Sequence, residues 1–167
     1  STNARTIREI RRTMKFEEVA RIVRQINAYG NVHQHLDLIA GLPYEDYESF
    51  RKSFNDVYAL APEQLQLGFL KVLKGSYMEE QKEQYGLVYK SRPPYEVLYT
   101  KWLPYSDVLR LKRVEEMVEV YYNSRQFSYT LGALEKAFPD SFSMYEQLGA
   151  YDDEEGQTFL SHARVTR

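Results

Sequence analysis

Three polar side chains on one short segment have the residue types and spacing of a metal site. His33, His35 and Asp37 alternate along a predicted strand, so all three lie on the same face. Imidazole and carboxylate groups at this spacing suit zinc or iron, but no downstream residue completes the site, and the remaining histidine, His162, lies in the predicted tail. The alternative is that these side chains line, or form hydrogen bonds inside, an α/β barrel. The residues leave both interpretations open.

Asp37 has a second candidate role. It lies near the end of a predicted buried strand, and the turn Gly41-Leu42-Pro43 follows. Ligands of parallel α/β sheets bind at the carboxyl ends of the strands, where a carboxylate can accept hydrogen bonds from ligand hydroxyl groups. A carboxylate that only caps the following turn would give the same pattern.

A basic segment opens the chain. Its positive residues are Arg5, Arg8, Arg11, Arg12 and Lys15, against a single Glu9. The guanidinium fork matches planar anions, so an arginine here can bind a carboxylate or a phosphate. The competing interpretation is a solvated helix face.

Composition excludes several function classes. The 167 residues include 22 Lys and Arg against 24 Asp and Glu, a balance that argues against a dedicated nucleic-acid binder. The absence of cysteine excludes disulfides, a cysteine nucleophile and a cysteine-ligated iron–sulfur cluster within this chain. No apolar run is long enough to predict a membrane span and no signal peptide opens the sequence, so we expect a cytoplasmic protein.

The first 75 residues predict alternating helices and strands. Helical spacing and stop signals give helices over Ala4–Arg12, over Phe16–Tyr29 and from Asp46 to Ala61, and strands over His33–Ala40 and Leu65–Leu73. A strand–helix–strand unit of this length predicts two parallel strands joined by a right-handed crossover. Because parallel sheets are normally buried on both faces, we expect this unit to be a piece of a larger α/β protein.

The second part of the chain is predicted to be helical and is rich in tyrosine. A short candidate helix begins at Ser76, and three further ones cover Ser106–Asn123, Ser128–Phe138 and Asp140–Leu148. The acidic run 152–155 is expected to be solvated. The predicted organisation is therefore an α/β region over residues 1–75 and an α-helical tail domain over residues 76–167. The tyrosines are expected to pack, or to line a pocket for a large planar or apolar substrate.

The segment 35–46 carries a family resemblance. It reads His-Leu-Asp-Leu-Ile-Ala-Gly-Leu-Pro-Tyr-Glu-Asp and resembles the fifth-strand signature of radical S-adenosylmethionine (SAM) enzymes, especially the branch of oxygen-independent coproporphyrinogen oxidase and the methylthiotransferases. Residues 1–12 resemble the segment after strand four, and residues 65–75 resemble strand six. The tail is similar to that of cobalamin-binding members related to magnesium-protoporphyrin monomethyl ester cyclase, whose tail domain has no assigned function.

The resemblance implies a partial barrel of six strand–helix units, of which the last two strands are present here. It also implies a parent with an upstream barrel half, a cobalamin domain and a Cys-x-x-x-Cys-x-x-Cys loop that holds a [4Fe–4S] cluster. The cluster and SAM would generate a 5′-deoxyadenosyl radical in an oxidoreductase or cyclase-like reaction on an unknown small molecule. This chain alone is then expected to be an inactive C-terminal fragment.

Three residues match cofactor-binding positions of that family. The resemblance implies that Arg12 binds the SAM carboxylate, that Asp37 binds the ribose hydroxyls and that the backbone of Lys71 lies beside the adenine. His33 and His35 have no equivalents, and no catalytic residue is assigned. Tyr44 and Glu45 stand where Gly-Glu or Lys-Gln is commoner.

Two other functions stay open. One is a non-enzymatic helical interaction module, for which the unpaired strand edges of a truncated barrel favour self-association. The other is a metal-binding domain built on His33, His35 and Asp37.

Overall fold

The computed structural model describes residues 1–155, so His162 lies outside the described residues. The first half contains α1 (Ala4–Glu9), α2 (Phe16–Tyr29), β1 (His35–Ala40), α3 (Tyr47–Tyr58) and β2 (Gln64–Phe69). Then follow α4 (Tyr77–Glu80), α5 (Lys82–Tyr85), β3 (Val88–Tyr89), β4 (Val97–Tyr99) and α6 (Tyr105–Met117). A π-helix (Val118–Asn123), α7 (Ser128–Leu134), a 3-10 turn (Glu135–Ala137) and α8 (Ser141–Glu155) complete the fold.

The predicted parallel strand pair is confirmed. β1 and β2 pair in parallel, with Asp37 opposite Gln66. Helix α3 connects the two strands, and its first turn is capped by the Asp46 carboxylate, which accepts a hydrogen bond from the Ser49 N–H at 2.8 Å. The fold is therefore helix-rich α/β, a strand–helix–strand unit followed by a mainly helical region.

Within residues 1–155, only one face of the strand pair is covered by other elements. Alternate residues point to opposite faces, and those on one face are buried in a single core: Leu38, Ala40, Leu65, Leu67 and Phe69. Helices α3, α6 and α8 contribute to the same core through Phe54, Leu111 and Phe142 among others. The opposite face exposes His35, Asp37 and Ile39 on β1 and Gln66 on β2.

A close contact joins the two halves of the chain at the end of β1. Gly41 has φ +87°, and a Cβ atom placed on it would lie 2.8 Å from the Val97 Cγ1 atom of β4. The Val97 N–H donates to the Leu70 carbonyl at 2.8 Å, which fixes β4 against the segment that follows β2. Glycine is therefore required at position 41 both by its backbone conformation and by its neighbour.

The outer edge of β2 is held by a side chain of the π-helix. The Asn123 Oδ1 atom accepts from the Leu65 N–H at 3.0 Å, and its Nδ2 group donates to the Leu65 carbonyl at 2.9 Å. The Asn123 amide thus forms the two hydrogen bonds that a neighbouring strand would form with Leu65.

The structure differs from the sequence prediction in three elements. Helix α1 ends at Glu9 rather than Arg12, because Arg11 adopts φ 58° and the Arg12 N–H donates back to the Ile7 carbonyl at 3.0 Å. The antiparallel pair β3–β4 was not predicted. Helix α8 continues through the acidic run to Glu155, beyond the predicted end at Leu148.

The boundary near Gly75 stays a prediction, and the buried core is continuous across it, since Leu38 and Tyr145 belong to one cluster. No helix within residues 1–155 has both the length and the apolar character that crossing a membrane requires.

We predict that Gly41→Ala destabilises the protein by about 2–4 kcal/mol, because it adds left-handed backbone strain and a clash with Val97. Gly30 is the matched control, since it also has positive φ but a Cβ placed there would meet nothing within 4 Å. Gly30→Ala should cost only about 1–2 kcal/mol, the strain alone. Urea unfolding measures both free energies, and equal losses would show that the Val97 contact is unimportant.

Candidate functional site

The bare face of the β1–β2 pair carries the most prominent of the predicted site residues. Asp37 lies within β1, with an exposed side chain, and His35 and Ile39 flank it on the same face. Gln66, its register partner, is the exposed polar side chain beside it on β2. The carboxylate is therefore available to a ligand that approaches this face.

Arg12 follows α1 close to the carboxyl end of the strands. The Thr6 hydroxyl of α1 donates to the Pro43 carbonyl at 2.8 Å, which fixes the helix to the turn after β1. At the other end of α1 the Arg11 guanidinium lies over the Tyr77 ring of α4, 4.1 Å from its centroid. The Arg12 side chain itself is exposed.

Lys71 lies two residues beyond β2. Lys71 faces Glu96 in an isolated antiparallel bridge. The hydrogen bonds of this bridge are formed by the backbone of Leu70 and Val72, the neighbours of Lys71 in sequence. Its side chain is exposed, whereas Glu96 is bound by Lys90 at 3.1 Å and Lys112 at 2.8 Å. Burial opposes the charge of Glu96, but the two lysines hold its pKa below the ordinary value.

The predicted residues do not contact one another. Among residues 1–155, no hydrogen bond or ion pair joins Arg12, Asp37 and Lys71 to each other. The imidazole rings of His33 and His35 lie 4.6 Å apart, yet the described part of the chain contains no group of three His, Asp or Glu residues gathered as metal ligands. The three-residue metal site proposed for His33, His35 and Asp37 is thus not assembled in this structure.

Polar side chains of the N-terminal segment fix the turn after β1. The Asn3 Nδ2 group donates to the Tyr44 carbonyl at 3.0 Å and to the Ser49 hydroxyl at 2.9 Å. The Asn3 Oδ1 atom also caps α1 by accepting from the Arg5 N–H at 2.9 Å. One side chain therefore positions both α1 and the start of α3 against the turn.

Tyr44 adopts a conformation that favours glycine. Its φ is 61°, which costs a residue with a side chain about 1–2 kcal/mol. The Arg5 guanidinium lies 3.7 Å from the ring centroid, and the Trp102 ring lies 4.5 Å away, so the tyrosine ring is held between the two. These contacts offset the strain and link the turn to the second half of the chain.

Glu45 is a buried carboxylate at the centre of the same turn. It is 1% exposed, and its Oε1 atom accepts from the Ser1 hydroxyl at 2.5 Å and from the Ser53 hydroxyl at 3.1 Å. Its Oε2 atom is the one buried side-chain polar atom without a hydrogen-bond partner among the described residues. Burial raises the pKa of Glu45, although the bonds from Ser1 and Ser53 oppose that shift.

In the sequence, Tyr44 and Glu45 stand out only as departures from a family pattern. Their structural roles depend on partners far along the chain, such as Trp102 for Tyr44 and Ser53 for Glu45. One signal was present in the sequence: Trp102 is the only tryptophan, and it lies in the tyrosine-rich half.

The second half of the chain matches a known protein family. A family model described as a protein of unknown function, DUF4080, matches residues 83–167, about half of the chain. The chain belongs to this family. No curated protein matches it significantly.

The DUF4080 segment contributes directly to the carboxyl end of the strands. It contains Val97, which contacts Gly41, and Trp102, which contacts Tyr44. It also contains Tyr85, whose hydroxyl donates to the Glu9 carboxylate of α1 and whose ring lies 5.9 Å from Trp102. The family segment is therefore part of the wall of the candidate site.

We predict that Glu45→Gln makes stability less dependent on pH, because it removes the buried charge and keeps an oxygen to accept from Ser1 and Ser53. A raised native pKa means that, as the pH falls, the folded protein binds the proton before the unfolded chain does. The contribution of Glu45 to the free energy of unfolding of the wild type therefore rises as the pH falls from 7 toward 4.5, the ordinary pKa of a glutamate. The variant should be the more stable protein at pH 7, and the difference should shrink on acidification.

Urea unfolding at pH 7, 6 and 5 measures this difference, with the exposed Glu80→Gln as the control that should show no such trend. A difference between Glu45→Gln and wild type that stays constant over this range would contradict the predicted titration.

Proposed function

We propose that this chain forms the C-terminal part of a radical SAM enzyme and contributes part of the SAM-binding groove. The supporting observation is the parallel β1–β2 pair, which presents a free Asp37 carboxylate on a bare face and ends in the Gly41-Leu42-Pro43 turn. A parallel sheet covered on one face requires further structure over the other, as the remaining strands of a barrel would provide.

The chemistry of the available side chains suits SAM. Asp37 can accept hydrogen bonds from the ribose hydroxyls, and Arg12 can form a bidentate pair with the amino-acid carboxylate. Both side chains are exposed, and they form no contact with each other, so each is available to a different part of one bound ligand. At Lys71 the backbone, rather than the amine, is the group proposed to lie beside the adenine.

The cluster and the cobalamin of such an enzyme lie elsewhere. The chain contains no cysteine, so it cannot hold a [4Fe–4S] cluster through thiolates. When bound in the parent, the reduced cluster and SAM supply a 5′-deoxyadenosyl radical that abstracts hydrogen from the substrate. The share of this chain is to orient SAM and to exclude water from the groove.

The family match supports the proposal only in part. The radical SAM resemblance implies a tail domain without assigned function. The family that matches residues 83–167 is also one of unknown function, which agrees with that expectation. The oxidoreductase or cyclase-like reaction and its substrate are left to experiment, because fold and cofactor do not determine the substrate.

We predict that the longer protein containing this chain, reconstituted with iron and sulfide without oxygen, cleaves SAM reductively to methionine and 5′-deoxyadenosine. Asp37→Ala and Arg12→Ala should each weaken SAM binding about 10- to 100-fold, because each removes a charge-assisted hydrogen bond. Calorimetry measures the binding, and chromatography with mass detection measures the cleavage products.

Lys71→Ala is the matched control, since only the backbone is proposed to act there, and its SAM affinity should stay within about threefold of wild type. Unchanged affinity in both Asp37→Ala and Arg12→Ala would remove these two residues from the SAM site. An upstream sequence without a Cys-x-x-x-Cys-x-x-Cys loop would remove the radical SAM proposal itself.

The bare sheet face also supports the alternative of an interaction module, in which a second copy covers His35, Asp37 and Ile39. Light scattering across a range of concentrations distinguishes the two proposals. A stable dimer that is disrupted by Ile39→Lys and that does not bind SAM would favour the interaction module.

A further inference from the structure

A second cavity lies at the opposite end of β2 from the proposed SAM groove. It has a volume of about 540 Å3 and lies between the loop 61–63, the π-helix and α7. This volume is typical of sites for small organic ligands. Three tyrosines line it together with charged and small residues, and the residues that argue for a ligand are Tyr58, Tyr122, Gly132 and Glu135.

Gly132 lines the cavity from an exposed position of α7. Glycine lowers helix stability relative to alanine, and a Cβ atom placed on Gly132 would meet nothing within 4 Å. Gly149 of α8 differs, because its Cβ would lie 3.0 Å from the Arg113 Cβ atom, so close helix packing requires glycine there. At position 132 no neighbour requires glycine, and the missing side chain leaves the cavity wall open.

The backbone around the cavity is irregular at three further places. Ala61 and Arg125, which both line it, adopt φ of 49° and 58° without being glycine. The π-helix that carries Tyr122 is a rare conformation found frequently at functional sites. Strain of this kind persists where the surrounding structure holds it, and it concentrates at ligand sites.

The electrostatics of the cavity favour a positively charged ligand. The Glu135 carboxylate accepts from the Tyr58 hydroxyl at 2.5 Å, and it takes part in no ion pair within the described part of the chain. Arg125, the cation of the lining, donates to the Glu63 carbonyl instead. Within residues 1–155, Glu135 is therefore a carboxylate without a cationic partner at the edge of a tyrosine-lined cavity.

The tyrosine hydroxyl groups support this assignment. Tyr122 donates to the Pro62 carbonyl, and burial raises its pKa to about 12. Arg125 opposes that shift, whereas Glu63 and Glu135 reinforce it. The rings of Tyr58 and Tyr122 pack against each other with centroids 5.1 Å apart, and Tyr58 also stacks on Phe54, so together they form one aromatic wall of the cavity. Aromatic surfaces of this kind attract cations.

We propose that this cavity binds a flat aromatic ligand carrying a positive charge, with Glu135 as its counter-ion. The family description assigns no ligand to this cavity, the proposed SAM groove does not include it, and the proposal does not depend on the radical SAM function. Tyr58 is a positioning residue here, because its hydroxyl group holds the Glu135 carboxylate.

The test uses the full chain and three probes of one shape: cationic benzamidine, neutral benzamide and anionic benzoate. Titrations followed by nuclear magnetic resonance should show saturable shifts of the Gly132 amide with benzamidine. Benzamide should bind at least about tenfold more weakly, because its hydrogen bond to Glu135 is no longer charge-assisted. Benzoate should not bind, because its carboxylate is repelled by that of Glu135. No saturable benzamidine binding, or equal binding of benzoate, would overturn the proposal.

Two substitutions at Gly132 separate binding from folding. Gly132→Leu should fill the cavity and abolish binding without lowering the melting temperature, since the added side chain enters open space in a helix. Gly132→Ala is the matched control, and its affinity for benzamidine should stay within about threefold of wild type. Undiminished binding by Gly132→Leu would place the probe elsewhere and overturn the site.

Glu135→Gln tests the counter-ion. The variant should bind benzamide as the wild type does but lose the roughly tenfold preference for benzamidine over benzamide. A preference that survives this substitution would contradict the assignment of Glu135.

Discussion

The structure depends on how two parallel strands bury one face and leave the other bare. Leu38, Ala40, Leu65, Leu67 and Phe69 enter the core, and this burial fixes the phase of both strands. Since side chains alternate, the same phase places Asp37 and Gln66 on the bare face, and a slip of one residue would exchange the two sets. The free carboxylate at the candidate site is thus a direct consequence of the hydrophobic pattern.

The contact between Gly41 and Val97 makes the strand pair and the DUF4080 segment parts of one core. A residue with a Cβ atom at position 41 would displace β4, and with it the segment that carries Trp102. Trp102 in turn contacts Tyr44, whose left-handed conformation is held by that ring and by Arg5. The geometry at the carboxyl end of the strands therefore depends on both halves of the chain, so the DUF4080 segment helps to shape a candidate site whose proposed residues lie outside it.

The spacing of apolar residues in the sequence was sufficient to predict the long helix α2 and the two parallel strands. The spacing of apolar residues and the stop at Gly30 located α2 over Phe16–Tyr29, and alternation located both parallel strands to within a few residues. The pair β3–β4 was missed, since strands of two and three residues carry too little periodicity, and Lys71, Val72 and Val97 show their pairing only in the folded chain. The position of Asp37 on a strand followed from its sequence neighbours, whereas its exposure is seen only in the folded chain. The burial of Glu45 likewise depends on distant residues, Ser1 and Ser53.

The cavity lies before the first residue of β2, whereas the proposed SAM site extends from Asp37, opposite Gln66 of β2, to Lys71 beyond its end. The loop 61–63 at the cavity precedes the strand and Lys71 follows it, and six residues of extended chain span about 20 Å. Substitutions this far apart, without shared partners, are expected to have additive effects. Asn123 is the connection that would make them non-additive, because the π-helix that carries it also lines the cavity, and its amide group holds the Leu65 backbone of β2. A ligand that changes the conformation of the π-helix would therefore shift Asn123 and with it the β2 backbone. A ligand that binds in the cavity without moving the π-helix should leave the Asp37 face unchanged.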